Sequence, residues 1–147
     1  MWLPEQTDRE TSARVARRFP QSLESTPPPF VAHAIAGIVA LLEGESRDLT
    51  DVPLEFDDSV PEFHRRVYDV ARTIKPGTTL SYGEIAARVG DPDSARAVGQ
   101  ALGRNPIPII VPCHRVLAAG GGTGGFSAPG GTATKLRLLA IEGARLI

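Results

Sequence analysis

Between Ser59 and Gly103 the chain repeats one instruction three times: begin a helix, then stop it early. Ser59 and Glu62 have the spacing of a capping box, with Pro61 in the first turn, where its missing N–H is harmless. Phe63, Val67, Val70 and Ile74 then line one helical face until Lys75-Pro76-Gly77 ends it. Ser81 and Glu84 give a second capping box and open a helix through Val89, broken by Gly90-Asp91-Pro92. A third helix spans about Ser94 to Gly103. Two short helices joined by a tight Gly/Pro turn, with an extended segment after them, have the proportions of a helix-turn-helix unit.

The third helix is unusually bare. Ala95, Ala97, Gly99, Ala101 and Gly103 leave little side chain on it, and Arg96 is the long cation near its start. Glycine within a helix costs roughly 1 kcal/mol relative to alanine, so the smallness calls for an offsetting reason. Tight packing against a neighbouring helix is one; close approach to a narrow surface such as the DNA minor groove, about 6 Å wide, is another.

Chemistry gathers further on. Ile107 to Val111 is an apolar, strand-like run interrupted by Pro108, and Pro112-Cys113-His114-Arg115-Val116 follows at once. A lone cysteine is commonly just a small buried hydrophobe. Beside His114 and Arg115, however, Cys113 is a candidate nucleophile, because a nearby imidazole lowers a thiol's pKa. Adjacent residues on a strand face opposite ways, so direct contact between Cys113 and His114 needs a turn or a bridging water. Gly120–Gly125 is nearly all glycine, either a surface loop or a backbone free to pass close to a ligand. It lacks the Lys-Ser/Thr ending of a P-loop. Thr132–Glu142 reads as a last amphipathic helix with Leu136, Leu139 and Ile141 mainly inward and Gly143 as its stop. Glu142 at that end opposes the helix dipole, and a partner such as His114 would explain it.

Residues 1–58 carry weaker signals. A polar helix is expected around Thr7–Arg18, and an apolar one from Phe30 to Leu42 with Val31, Ile35, Ile38 and Leu42 at helical spacing and Gly44 as its stop. Val52–Phe56 reads as a short strand. Residues 1–60 carry 5 Lys/Arg against 11 Asp/Glu, a balance of −6, while 61–147 carry 11 against 6, a balance of +5. A basic half on a nearly neutral chain is either scattered solvated charge or a polyanion-binding face. With 41% apolar and 22% charged residues, wholesale disorder is excluded. No window reaches the roughly 18 uncharged apolar residues of a membrane span. Met1–Glu10 lacks the apolar centre of a secretory signal. One cysteine and three scattered histidines make neither a disulfide nor a good metal site, so a reducing, cytoplasmic setting is expected. His33 and His64 are assigned no site.

Taken together these residues resemble one family. Pro112-Cys113-His114-Arg115-Val116 is similar to the acceptor-cysteine motif of the O6-alkylguanine-DNA alkyltransferases, also called methylated-DNA–protein-cysteine methyltransferases. Ser81-Tyr82-Gly83-Glu84-Ile85-Ala86, Ala95-Arg96-Ala97-Val98-Gly99 and Arg104-Asn105-Pro106 stand in the family's order. Phe126-Ser127 and Leu138-Leu139-Ala140-Ile141-Glu142-Gly143 complete the series, so the likeness covers about residues 59–147. It implies an α/β, mostly helical fold: a C-terminal helix-turn-helix, winged-helix-like alkyltransferase domain over 59–147. Before it, residues 1–58 would be a short N-terminal α/β domain, the helical remainder of a larger sheet-containing one.

The resemblance also implies direct repair of O6-alkylguanine, with O4-alkylthymine as a further substrate, by a monomer that needs no cofactor or metal and no membrane. Double-stranded DNA would be bound in the minor groove through Ala95, Arg96, Ala97, Gly99 and Arg104. Arg96 would fill the space left by the extruded base, an event costing a few kcal/mol. Cys113 would attack the alkyl carbon, His114 would act as base through a water with Glu142 orienting it, and Tyr82 would protonate guanine N3. The Ser127 N–H would bond O6, the carbonyls of Cys113 and Val116 would accept from the exocyclic amine, and Asn105 would pin the turn into the active-site strand. The thioether formed on Cys113 has no easy leaving path, so one molecule would act once. Where the family commonly carries Tyr-Ser-Gly-Gly or Tyr-Ala-Gly-Gly, this chain has Phe126-Ser127-Ala128-Pro129-Gly130-Gly131, which alters the pocket loop. Three other classes compete: an alkyltransferase-like module that binds lesions without transfer, a helix-turn-helix regulator with a redox cysteine, and a thiol hydrolase. Relatives of the first kind replace the cysteine that this chain keeps.

Overall fold

The computed structural model describes residues 1–144. Six helices appear in chain order: α1 (Asp8–Arg18), α2 (Pro29–Leu42), α3 (Glu62–Arg72), α4 (Tyr82–Arg88), α5 (Ala95–Gly103) and α6 (Gly131–Ile141). Two strands, β1 (Leu80–Ser81) and β2 (Val116–Leu117), pair in parallel with Leu80 opposite Val116 and Ser81 opposite Leu117. A 3-10 turn, Cys113–Arg115, leads into β2. No helix among the described residues is long and apolar enough to cross a membrane.

The three helices expected between Ser59 and Gly103 form, and they pack on one another. Val67, Tyr68 and Ala71 of α3, Ile85 and Ala86 of α4, and Val98 and Ala101 of α5 are almost fully buried, with Val111 and Val116 beneath them. The Tyr68 hydroxyl, inside this core, donates to the Ala101 carbonyl at 2.9 Å and so satisfies its one buried polar atom. The Ser81–Glu84 capping box is present: Ser81 Oγ accepts from the Glu84 N–H at 3.2 Å and Glu84 accepts from the Ser81 N–H at 2.7 Å. It starts α4 directly after β1, and β1 lies beside β2, so Tyr82 is delivered to the exit of the Cys113 turn.

A second apolar cluster joins the two ends of the chain: Leu41 of α2, Leu49, Val52, Ile109, Ile110 and Leu138 of α6. Residues 1–58 therefore lean on the run before Cys113 and on the last helix. Within them α1 forms as expected, with Thr7 and Glu10 in a reciprocal cap.

Several local expectations are corrected. Val52–Phe56 is not a strand, and the regular elements of residues 1–58 are helices. Among the described residues only β1 and β2 pair, and Arg72 Nη2 meets carbonyls at the start of this segment instead, reaching Leu49, Thr50 and Val52 at 3.3, 3.0 and 2.6 Å. The Ser59–Glu62 box does not form, because the Asp57 carboxylate captures both the Ser59 N–H, at 2.8 Å, and its hydroxyl. Pro61 becomes the cap residue of α3 without a side-chain bond.

Of Val31, Ile35, Ile38 and Leu42, which recur along helix α2, Ile38 packs on the second cluster and Val31 is half-buried. Gly37 and Leu41 are buried, whereas Ile35 and Leu42 are exposed. A helix apolar all round does not choose its face by periodicity. Here Gly37 chooses it, since a Cβ there would lie 2.8 Å from Leu49 Cδ2. In α6 the buried positions are Lys135, Leu138 and Leu139, with Leu136 and Ile141 only partly covered. The Ile107–Val111 run is likewise no strand. It doubles back so that the Val111 N–H donates to the Ile107 carbonyl at 2.9 Å, and Ile109 is held at φ 75°. A β-branched residue in that region is strained, and burial of Ile109 and Ile110 against α2 and α6 offsets the cost.

Replacing Arg72 with alanine strips three carbonyls of a charged donor. It should lower stability by about 1.5–3 kcal/mol, read as a shift in the urea midpoint with little change in slope.

Candidate active site

Cys113 sits at the start of the 3-10 turn, whose bonds run from the Arg115 N–H to the Pro112 carbonyl and from the Val116 N–H to the Cys113 carbonyl. Asn105 spans the loop before it. Its Oδ1 accepts from the Ile107 N–H at 3.0 Å, and its Nδ2 donates to the Val111 carbonyl at 2.8 Å and to Cys113 Sγ at 3.3 Å. One amide thus spans a folded-back loop, not a strand, and touches the sulfur.

The expectation that the adjacent imidazole depresses the thiol pKa is corrected. Burial pushes the Cys113 thiol up, and the Asn105 hydrogen bond and the Lys135 charge only partly offset it. The shift favours the thiol over the thiolate at neutral pH.

His114 is buried and turned the other way. Its Nε2 lies 2.8 Å from Glu142 Oε1, and Arg115 grips the same carboxylate through Nε at 2.9 Å and Nη2 at 2.8 Å. Burial alone would raise Glu142, but the bonds from His114 and Arg115 bring it down to about 2. An ionised carboxylate only accepts, so Nε2 carries the hydrogen and Nδ1 keeps its lone pair. That Nδ1 is buried and bonds to no group among the described residues. Burial also holds the His114 pKa down, against the pull of Glu142, so the imidazole is neutral and able to take a proton at neutral pH. Arg115 reaches on to the Ile74 carbonyl at the end of α3.

Tyr82, first in α4, is held as a phenol: burial and the neighbouring Cys113 both raise its pKa. The glycine loop closes over it. At Gly124, φ 68°, a Cβ would lie 2.7 Å from the Tyr82 hydroxyl, so glycine is required there both for its conformation and for the close approach.

A cavity of about 770 Å³ brings together Cys113, Tyr82, Arg96, Gly99, Phe126 and Ser127, with Ala95 on its wall. A smaller one of about 340 Å³ meets Cys113 from another side and takes in Arg104 and Asn105 as well as Phe126 and Ser127. Ala97 faces neither cavity, and Ser127 Oγ is spent on the Gly103 carbonyl at 3.0 Å. Val116 is buried, and its carbonyl already accepts from Lys135 Nζ at 2.5 Å. Of the unassigned histidines, His64 packs edge-on against Phe63 and Tyr68, and His33 pairs with Asp51 at 2.8 Å.

Lys135 is the residue that reading the sequence missed. It is fully buried, bonds Val116 and, at 3.3 Å, Gly125, and places its ammonium 5.8 Å from the Tyr82 ring centre. Burial lowers its pKa to about 8, with Cys113 acting the other way. The signal was its spacing: Lys135, Leu138, Leu139 and Glu142 share one helical face, so a lysine stands on the inward stripe.

Comparison with known proteins bears on this site. The family model described as 6-O-methylguanine DNA methyltransferase, DNA binding domain, matches residues 62–144. A methylated-DNA–protein-cysteine methyltransferase of Mycolicibacterium paratuberculosis is 47% identical over 115 residues, covering 78% of this chain and 67% of that protein. The crystal structure of Mycobacterium tuberculosis OGT in complex with DNA superposes with a TM-score of 0.69 at 44% identity, over 80% of this chain and 71% of that one. The S. pombe Atl1 structure in complex with damaged DNA containing O6-carboxymethylguanine gives a TM-score of 0.50 at 34% identity, over 63% and 82%. The chain spans about two thirds of the length of the curated relatives it matches.

Acid should weaken the fold in two steps. The unfolded chain binds a proton on His114 near its usual pKa, and on Glu142 near 4.5, while the folded chain resists both. Stability is therefore lost as pH falls below the ordinary histidine range, and again from about 4.5 toward 2. Thermal unfolding across pH should show both steps, and Glu142→Gln should shrink the lower one, to which Asp51, Asp57 and Glu84 also contribute. Glu142→Ala, which leaves Arg115 buried and unpaired, should cost about 3–5 kcal/mol at neutral pH.

Proposed function

Because the chain belongs to the 6-O-methylguanine DNA methyltransferase family, we propose that it repairs DNA directly, moving the alkyl group of O6-alkylguanine in a duplex onto its own Cys113. One observation carries this reading: a single cavity holds the thiol, the Tyr82 phenol and the mouth residue Arg96 together. At about 770 Å³ it falls among ordinary ligand sites, roughly 300–1,000 Å³, and has room for an extruded purine.

The transfer is a displacement at carbon. Cys113 Sγ attacks the alkyl carbon in line with its bond to O6; the S–C bond forms as the C–O6 bond breaks, and the bonding pair goes to the purine. The thiol proton passes by way of a water to His114 Nδ1, and Glu142 stabilises the imidazolium. Tyr82 gives its proton to N3, so the base leaves neutral. Imidazolium and phenolate then return to rest by exchanging that one proton through solvent. The raised thiol pKa suits this order, since deprotonation coupled to attack avoids holding a bare thiolate in a buried site. The thioether product has no leaving path, and each molecule acts once.

The bareness of α5 supports contact with a minor groove through Ala95, Arg96, Ala97, Gly99 and Arg104. A Cβ at Gly103 would meet nothing within 4 Å, and one at Gly99 only the Tyr82 ring at 3.8 Å. Packing inside the chain does not require these glycines, which is consistent with a surface kept bare for close approach from outside. Lys135 is a positioning residue, joining the Val116 carbonyl to the glycine loop. Within this reading residues 59–147 do the binding and chemistry, 1–58 support them, and the working form is a cytoplasmic monomer.

Incubation with duplex DNA carrying a labelled O6-methyl group should put one methyl on each protein molecule by intact mass, and none on Cys113→Ala. Tight binding without transfer would instead make the chain a lesion-binding module. Since extruding a base costs a few kcal/mol, Arg96→Ala should slow repair in duplex DNA roughly 10–100-fold while barely changing reaction with free O6-benzylguanine. Equal losses on the two would remove its role as wedge.

A further inference from the structure

The negative balance of residues 1–60 conceals a basic segment. Between Thr11 and Leu23 stand Arg14, Arg17 and Arg18 and no acid, while eight of the eleven acids lie between Glu24 and Asp58. The three arginines are three and four residues apart on α1 and so share one face of it. The fold brings that face to the site. Leu3 packs on the second apolar cluster, and Trp2 and Arg14 line the smaller cavity together with Gly103 and Arg104 at the end of α5.

Two of these cations are held by an aromatic stack. The Arg14 guanidinium lies 4.6 Å over the Trp2 ring, Trp2 stacks on Phe19 with centres 5.7 Å apart, and the Arg18 guanidinium lies 5.3 Å over Phe19. Trp2 is 38% and Phe19 50% exposed, so the stack stands on the surface and not in a core. Arg14 is paired with Glu5 at 2.7 Å, whereas Arg17 and Arg18 are exposed and form no ion pair among the described residues. Cations in a last turn suit the helix dipole. The dipole does not call for exposed rings that fix a guanidinium beside an open site. A guanidinium laid on a ring keeps its edge N–H groups for an anion and has less freedom left to lose on binding one.

We infer that Arg17 and Arg18 bind backbone phosphates of the duplex flanking the damaged base, which makes α1 a second DNA contact outside the helix-turn-helix. The inference rests on the duplex-repair reading above and carries the contact beyond residues 59–147. Continuity and charge select this partner. The bare surface of α5 ends at Gly103 and Arg104, where the arm carrying Trp2 and Arg14 begins. Duplex DNA presents about one negative charge per 1.7 Å of its length, and an acid-free cationic face beside that surface is its complement. The stack does not take a base, because each ring already has the other ring and a guanidinium against it. What it contributes is charge held in place.

The salt dependence of binding is the test, read by fluorescence anisotropy on a labelled, undamaged duplex that extends past the site on both sides. Each phosphate contact steepens the fall of log K with log salt by about 0.9, with or without a lesion. The double variant Arg17→Ala, Arg18→Ala should therefore flatten the slope by about 2. The double variant Arg17→Lys, Arg18→Lys keeps both charges and should stay close to the wild-type slope. A partly unfolded preparation scales K by one factor at every salt concentration, so the slope isolates the contacts from any loss of fold. A wild-type slope in the alanine variant overturns the inference and leaves the repair reading standing, and so does a lysine variant as flat as the alanine one. A wild-type chain without affinity for the duplex overturns both. The expected slopes in a chain that transfers no methyl uphold the contact and sink the repair reading alone.

Discussion

One buried carboxylate holds the active centre in place. Glu142, at the end of α6, takes bonds from His114 and twice from Arg115, and Arg115 continues to the end of α3. The last helix, the Cys113 turn and the three-helix core are thereby joined through a single charged cluster. Burying three ionisable groups is expensive, and such a cluster adds little net stability over apolar packing. What it secures is orientation: it assigns the imidazole tautomer and leaves Nδ1 unbonded among the described residues, while burial, against the pull of Glu142, keeps the ring neutral.

The rest of the pocket follows from small residues and short elements. Parallel pairing of β1 with β2 is only two residues long, yet it sets Tyr82 beside the exit of the Cys113 turn. Asn105 closes the strained loop before the turn and touches the sulfur. Lys135 draws the glycine loop and the Val116 carbonyl together beneath Tyr82.

How far the fold was legible depended on how far each signal had to reach. The Ser81–Glu84 box was read correctly because both partners lie within one turn and nothing nearby competes. The Ser59–Glu62 pair has the same spacing and failed, since Asp57, two residues upstream, captured the serine first. Val52–Phe56 had the composition of a strand, but a strand needs a partner, and only Arg72 was there to meet the nearby carbonyls. Helix α2 was correctly placed, but its pattern is apolar all round, and Gly37, which admits Leu49, helps set the buried face.

From the sequence alone came the positions of the short helices, the small-residue surface of α5 and the Pro-Cys-His-Arg-Val motif with its likeness to a family. These are properties of residue type and spacing over a turn or two, where backbone bonding is local. Only the tertiary structure decided that His114 turns from Cys113 toward Glu142, 28 residues away, and that Lys135 is buried beneath the pocket. It alone brought an N-terminal tryptophan to the wall of a second cavity that Cys113 also lines. Each of these joins groups distant in the chain, and the depth at which they meet sets the charge that each one carries.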